Sequence, residues 1–173
     1  MNTTPSAADR RAGPLAALTL GAALLLAGCA NPVRDPATRV SPGQDEAAVR
    51  AVMGSPTGRY TLPQGTVRLE FARGPLGFET WMVDLDATGR VTAVEQVLTR
   101  RRFDEVRRGM TGDELLRLLG RPAERQRQYM DRVTWYWRHS PYDCVWFGVT
   151  LSPQGRAIDT GGDSPDPRCD VSQ

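Results

Sequence analysis

Lysine is absent. All 22 basic residues are arginine, 20 carboxylates offset them, and the formal net charge is +2. So close a balance excludes the strong positive field that draws proteins onto nucleic acid. The all-arginine usage reads as the mark of a GC-rich genome rather than of a function. Histidine occurs once and cysteine three times, with no metal-ligand spacing among them, so neither a metal nor another cofactor is expected. No phosphate-cradling glycine loop and no pair of carboxylates at catalytic spacing is present, and the chain is read as a non-enzyme. Asp84 and Asp86, on one strand face near a turn, are read as solubilising residues. No apolar run reaches the roughly 20 residues that a membrane span needs. What remains is an ordinary globular composition, 40% hydrophobic and 24% charged over 173 residues, enough for one domain or two small ones.

The first segment is an address. Arg10 and Arg11 precede an apolar stretch from Leu15 to Ala27, the order of a secretory signal. Leu26-Ala27-Gly28-Cys29 then resembles the bacterial lipobox at every position. The resemblance implies cleavage before Cys29 and acylation of its thiol, and several acyl chains on one residue hold a protein firmly at a membrane. Ala30 stands where an Asp would favour inner-membrane retention, which implies the outer membrane, periplasmic side. Residues 1–28 are therefore expected to be a signal peptide. Residues 29–39, with Pro32 and Pro36 and little apolar content, are expected to be a tether.

Beyond the tether the chain repeats itself. Gly54 and Pro56 recur as Gly120 and Pro122, 66 positions on, and at the same offset Gly43 meets Gly109, Val67 meets Val133, and Gly89-Arg90 meets Gly155-Arg156. In the second copy Thr111 and Glu114 form a capping box. Leu115, Leu118 and Leu119 follow at helical spacing, and Gly120 and Pro122 stop the helix. In the first copy Asp45 caps alone, and Val49, Val52 and Met53 make the apolar face. A strand follows in each copy, with Val67, Leu69 and Phe71 matched by Val133, Trp135 and Trp137. A second pairs Trp81, Val83 and Leu85 with Phe147, Val149 and Leu151. The third strand is weaker, Val91 to Leu98 in one copy and Ala157 to Ile158 in the other. Phe103 and Val106 predict a further short helical turn. The expected fold is α+β, two tandem helix-helix-β-β-β units, each a three-stranded antiparallel sheet with helices on one face. The first unit spans 40–99 and the second 100–160, with a tail over 161–173.

Gly109-Met110-Thr111, Glu114-Leu115-Leu116 and Leu119-Gly120-Arg121-Pro122 together resemble the opening of the SmpA/OmlA (BamE-like) family of outer-membrane lipoproteins. The likeness is good over residues 103–160 and weaker over 40–98, where Ser41-Pro42-Gly43-Gln44 replaces the Gly-Met-Thr opening. It implies a non-enzymatic protein binder, a scaffold or accessory factor in β-barrel protein assembly and envelope integrity. The implied partners are the outer membrane, through the acyl groups, and an envelope protein such as the barrel-assembly machinery. Because the family's assembly subunit has one such unit and this chain two, the arrangement also resembles the tandem β-lactamase-inhibitor proteins. That likeness implies an inhibitor or sequestering protein for a periplasmic hydrolase.

Cys144 and Cys169 are an even pair once Cys29 is acylated, and the oxidising periplasm predicts a disulfide between them. A loop of this length is worth roughly 3 kcal/mol on a chain-entropy argument. Such a bridge would hold the tail across the outer face of the second sheet. By strand parity Trp135 and Trp137 belong to the core, whereas Tyr136, Arg138 and Trp146 share the opposite face. Aromatic residues beside arginine are the types enriched at binding hot spots. These three, with Tyr142 at the loop tip, are either a binding surface or simply covered by the tail. His139 is read as an ordinary surface residue of that tip. The Arg100-Arg101-Arg102 cluster either touches anionic lipid or is a solvated connector, partly neutralised by Asp104 and Glu105.

Overall fold

The computed structural model describes residues 36–74, 77–140, 142 and 144–168. The leader, the lipidation residue Cys29 and one partner of the expected disulfide, Cys169, lie outside the described residues. Local chemistry sets the first element. The Asp45 carboxylate accepts a hydrogen bond from the Ala48 N–H at 2.9 Å and starts helix α1, Glu46–Met53, which ends at Gly54 with φ 84°. Helix α3, Gly112–Leu119, repeats this 66 residues later with the full capping box and ends at Gly120, φ 76°. A 3-10 turn, Pro36–Arg39, precedes α1. A short helix α2, Arg100–Phe103, stands in the corresponding place before α3.

Each copy contains a four-stranded antiparallel sheet in sequential order. Sheet 1 is β1 Gly58–Thr61, β2 Val67–Ala72, β3 Thr80–Leu85 and β4 Val91–Gln96; sheet 2 is β5 Glu124–Arg127, β6 Val133–Ser140, β7 Val145–Leu151 and β8 Gly162–Pro165. The expectation of three strands is corrected. Gly-Arg-Tyr-Thr in β1 and Glu-Arg-Gln-Arg in β5 lack apolar alternation, because an edge strand with much of its surface exposed is held by backbone pairing rather than by side-chain burial.

The offset is also visible in the hydrogen bonds. Gly43 N–H donates to Val91 O at 2.8 Å and Gly109 N–H to Ala157 O at 2.7 Å. Arg90 Nη1 donates to Gly43 O at 3.3 Å, and Arg156 Nη1 to Gly109 O at 3.1 Å. The recurring Gly and Arg thus tie the helix entry of each copy to the start of its last strand. That strand departs from exact repetition in the second copy. Ala157 bridges Leu151, the chain then bulges, and Gly162 pairs with Gly148. In the first copy the equivalent Met82 pairs with Glu95, so one residue has been inserted. The Asp159 carboxylate shapes the bulge by accepting from Thr150 N–H (3.2 Å) and Gly161 N–H (3.1 Å). A Cβ on Gly161 would stand 2.2 Å from the Phe147 ring, and its φ is +78°, so only glycine fits. The expected end of the second unit at residue 160 therefore falls before its last strand, and tail residues 162–165 complete the sheet.

Packing stacks the layers. Val49 of α1 packs with Leu69, Phe71, Val83 and Leu85 on one face of sheet 1. Leu115 and Leu119 of α3 and Phe103 of α2 pack with Trp137, Phe147, Val149 and Leu151 of sheet 2. Each of these fully buried side chains contributes about 1.5–3 kcal/mol. Met82 and Tyr60, from the other face of sheet 1, join this second core. Helix α3 therefore lies between the two sheets, and both faces of sheet 1 are covered, not one.

Polar groups finish the junction. Glu70 is fully buried; its carboxyl accepts from Thr57 Oγ1 at 2.9 Å, from the Tyr60 hydroxyl and from Arg121 N–H at 3.1 Å. Burial first, and then this bond to Glu70, push the Tyr60 hydroxyl pKa well above its ordinary value. Arg68 grips Asp84 with two hydrogen bonds of 2.6 and 2.7 Å and donates from Nη1 to Arg117 O, near the C-terminal end of α3, at 2.9 Å. Asp84 is thus part of an interface and not a solubilising residue. Gly120 sits so close that a Cβ would approach Thr80 Cγ2 to 2.7 Å.

Candidate functional site on the outer face of sheet 2

The face of sheet 2 turned away from α3 carries the residues singled out by parity. The structure divides it into two halves. At one end Trp146 and Arg138 are 2% and 3% exposed, so of the two readings left open for them the structure shows the covered one, and neither is a solvent-facing hot spot. The cover is the chain after β8. Asp166 N–H donates to Cys144 O at 2.8 Å, the Asp166 carboxylate pairs with the Arg138 guanidinium through Nε and through Nη2 (3.0 Å), and Arg168 Nη2 reaches Glu124 on β5 at 2.8 Å. β5 and β8 are opposite edges of the sheet, so residues 166–168 cross the whole face. The hydrogen bonds from Arg138 hold the Asp166 carboxyl below its ordinary range, against the opposing effect of burial. Tyr136 stacks on Trp146 with ring centroids 4.3 Å apart.

Tyr142 is 92% exposed at the β6–β7 turn and makes no ring contact among the described residues, so it does not join the aromatic pair. His139 is corrected from a surface tip residue. It belongs to β6, meets the Phe103 ring edge-on at 4.9 Å, and has Nε2 3.3 Å from Asp163 Oδ1 but off the axis of a hydrogen bond. Arg100 pairs with Asp163, Arg101 and Arg102 with Glu95, and Arg102 also with Glu105, so the arginine cluster is engaged within the fold.

The other half of the face is open among the described residues. It forms a groove of about 510 Å³ whose floor and walls include Thr134, Tyr136, Thr150, Gln128, Tyr129 and Arg132. The Thr134 and Thr150 hydroxyls are 3.2 Å apart across the floor. Gly148 lets the Tyr136 ring lie flat on the sheet, since a Cβ there would come within 2.8 Å of it. At the rim, the β5–β6 turn exposes Tyr129 (89%) and Met130 (61%). Met130 and Asp131 have φ of 62° and 53°, a conformation that glycine and asparagine adopt far more readily. The first copy makes the same turn with Gln64 and Gly65, φ 64° and 75°. Sequence reasoning passed over this groove. Its one available signal was a Tyr-Met-Asp turn where the other copy has Pro-Gln-Gly.

A smaller cavity of about 180 Å³, lined by Thr57, Thr80, Leu98, Arg121, Pro122 and Trp137 among others, lies at the junction of the copies; it is below the size of typical ligand sites. No group of three or more His, Cys, Asp or Glu side chains among the described residues is placed to hold a metal, and no described helix is long and apolar enough to cross a membrane. Searched against protein-family models, curated proteins and solved structures, the chain matches none.

Proposed function

We propose that this protein is a lipid-anchored, non-enzymatic scaffold on the periplasmic side of the outer membrane, built from two BamE-like units and assisting β-barrel protein assembly and envelope integrity. The anchor rests on Leu26-Ala27-Gly28-Cys29. The binding role rests on one observation: sheet 1 uses its second face to dock a helix, whereas the same face of sheet 2 is half open, with exposed aromatic and apolar residues at its rim. Exposed Tyr beside Arg in a concave site is the composition of an interface centre. The rival reading, a hydrolase inhibitor, borrows an architecture in which two sheets share one concave surface. Here α3 separates the sheets, which favours the scaffold.

The test has two parts. Mass spectrometry of protein from membranes is expected to find Cys29 acylated at the new N-terminus. A photoreactive residue placed at Thr150 is expected to cross-link in intact cells to a subunit of the barrel-assembly machinery. Free, unacylated protein would overturn the anchor, and capture of one soluble hydrolase with loss of its activity would move the assignment to the inhibitor.

A further inference from the structure

We infer that the open groove of sheet 2 binds an extended, acidic polypeptide segment, with a carboxylate at Arg132 and an aromatic or apolar side chain between Tyr129 and Tyr136. This rests on the protein-binding reading above and names the chemistry of its partner. The comparison of the two copies excludes a helix as occupant. On sheet 1 the docked helix meets Met82 and Arg68, Asp84 holds Arg68 in place, and Glu70 accepts from Arg121 N–H just past the helix end. Sixty-six positions on, those places are held by Gly148, Thr134, Thr150 and Tyr136. The apolar knob has become a glycine, and the charged grips have become two hydroxyls and a flat ring. Where Gly120 packs on Thr80 in the first copy, the stacked Trp146 now fills the space. Such a floor offers hydrogen bonds to a passing backbone and shallow contact to alternate side chains, which is how sheets receive extended peptides.

Charge selects among extended peptides. Arg132, which lines the groove, has no ion-pair partner among the described residues. Arg127, at the same end of the hairpin, pairs in register with Val133 and faces the other side of the sheet, as does Arg125, held over the Trp135 ring at 4.2 Å. The one carboxylate lining the groove, Asp163, is engaged by Arg100. Asp131 is the single acid of the turn, so this end of the hairpin is net positive. The strained turn also holds Tyr129 out where a partner side chain can reach it, and strain in a bulky residue is kept where function repays it.

The experiment measures binding of fluorescein-labelled Glu-Asp-Phe-Asp-Glu to the full chain by anisotropy, beside the amide peptide Gln-Asn-Phe-Asn-Gln and vesicles containing phosphatidylglycerol. The acidic peptide is expected to bind about tenfold more tightly than the amide one, and Arg132→Glu to weaken it by about tenfold or more with an unchanged melting curve. Tyr129→Ala is expected to weaken it several-fold, and Arg108→Glu, exposed elsewhere, to leave it unchanged. Equal affinity for the two peptides, indifference to Arg132→Glu, or binding to the anionic vesicles without binding to the peptide would overturn the inference. If the peptide fails while in-cell cross-linking to an envelope protein persists through another surface, the scaffold assignment stands and only the groove's role falls.

Discussion

Two faces of the same duplicated sheet meet different fates. In the first copy Glu70 and Met82 are buried under α3 and the residues that follow it, and Arg68, paired with Asp84, reaches the helix backbone. In the second copy the same face is closed at one end by a strap of the chain's own C-terminal residues and left open at the other. Duplication produced two identical docking problems, and the chain solved one with a helix and the other with three residues.

Substitutions at paired positions test whether the two faces differ as described. Glu70→Ala removes the shared acceptor of the Tyr60 hydroxyl, Thr57 Oγ1 and Arg121 N–H and opens a cavity at a fully buried position; a loss of about 3–4 kcal/mol in urea unfolding is expected. Its counterpart Tyr136→Ala removes a half-exposed ring and is expected to cost about 1–2 kcal/mol. Equal losses would erase the distinction.

Asp166→Asn leaves the Arg138 guanidinium buried without its counter-charge, a cost of about 3 kcal/mol. The expected readout is local, with Trp146 emission shifting to the red and trypsin cutting after Arg168 before the main transition. Acid does the same to the native protein. Because the folded state lowers the Asp166 pKa, the strap's contribution is present above the unfolded value near pH 4 and lost as pH falls through the folded one. Trypsin-like probes cannot be used there, so tryptophan emission between pH 6 and pH 2 is the check.

Gly120→Ala and Gly54→Ala both force a non-glycine residue to positive φ, costing about 1 kcal/mol or somewhat more. Only Gly120 also meets a neighbour, Thr80, at 2.7 Å, so its variant is expected to lose a further 1–2 kcal/mol or so by overpacking. The smallest effect belongs to the caps. Thr111→Ala and Asp45→Ala are each expected to cost about 1 kcal/mol in thermal unfolding, and a large difference between them would mean that α1 and α3 are not equivalent helices.

Much of the fold was legible in the residues. Helix starts were written in Asp45, Thr111 and Glu114, their ends in Gly54 and Gly120, and the buried strand faces in the alternation of Leu69 with Phe71 and of Phe147 with Val149. Each of these signals is local, set by backbone donors that need a cap or by side chains that need one apolar side. The edge strands were not legible, because Glu124-Arg125-Gln126-Arg127 is held by main-chain hydrogen bonds that carry no side-chain signature. The candidate site was legible only in part. Parity placed Tyr136, Arg138 and Trp146 together, but the strap over two of them depends on a bulge at Asp159–Gly161 that shifts β8 by one residue.

From sequence alone follow the repeat of 66, the caps and the faces each element must bury, since these rest on interactions within a few residues or on patterns of period two and 3.6. Tertiary structure alone decided what covers a polar face. Arg68, Glu70 and Asp84 look in sequence like a solvated surface, and Thr134, Tyr136 and Thr150 look no different. Glu70 is fully buried and its counterpart Tyr136 is not, because burial of a polar residue is a property of its distant partners, not of its own type.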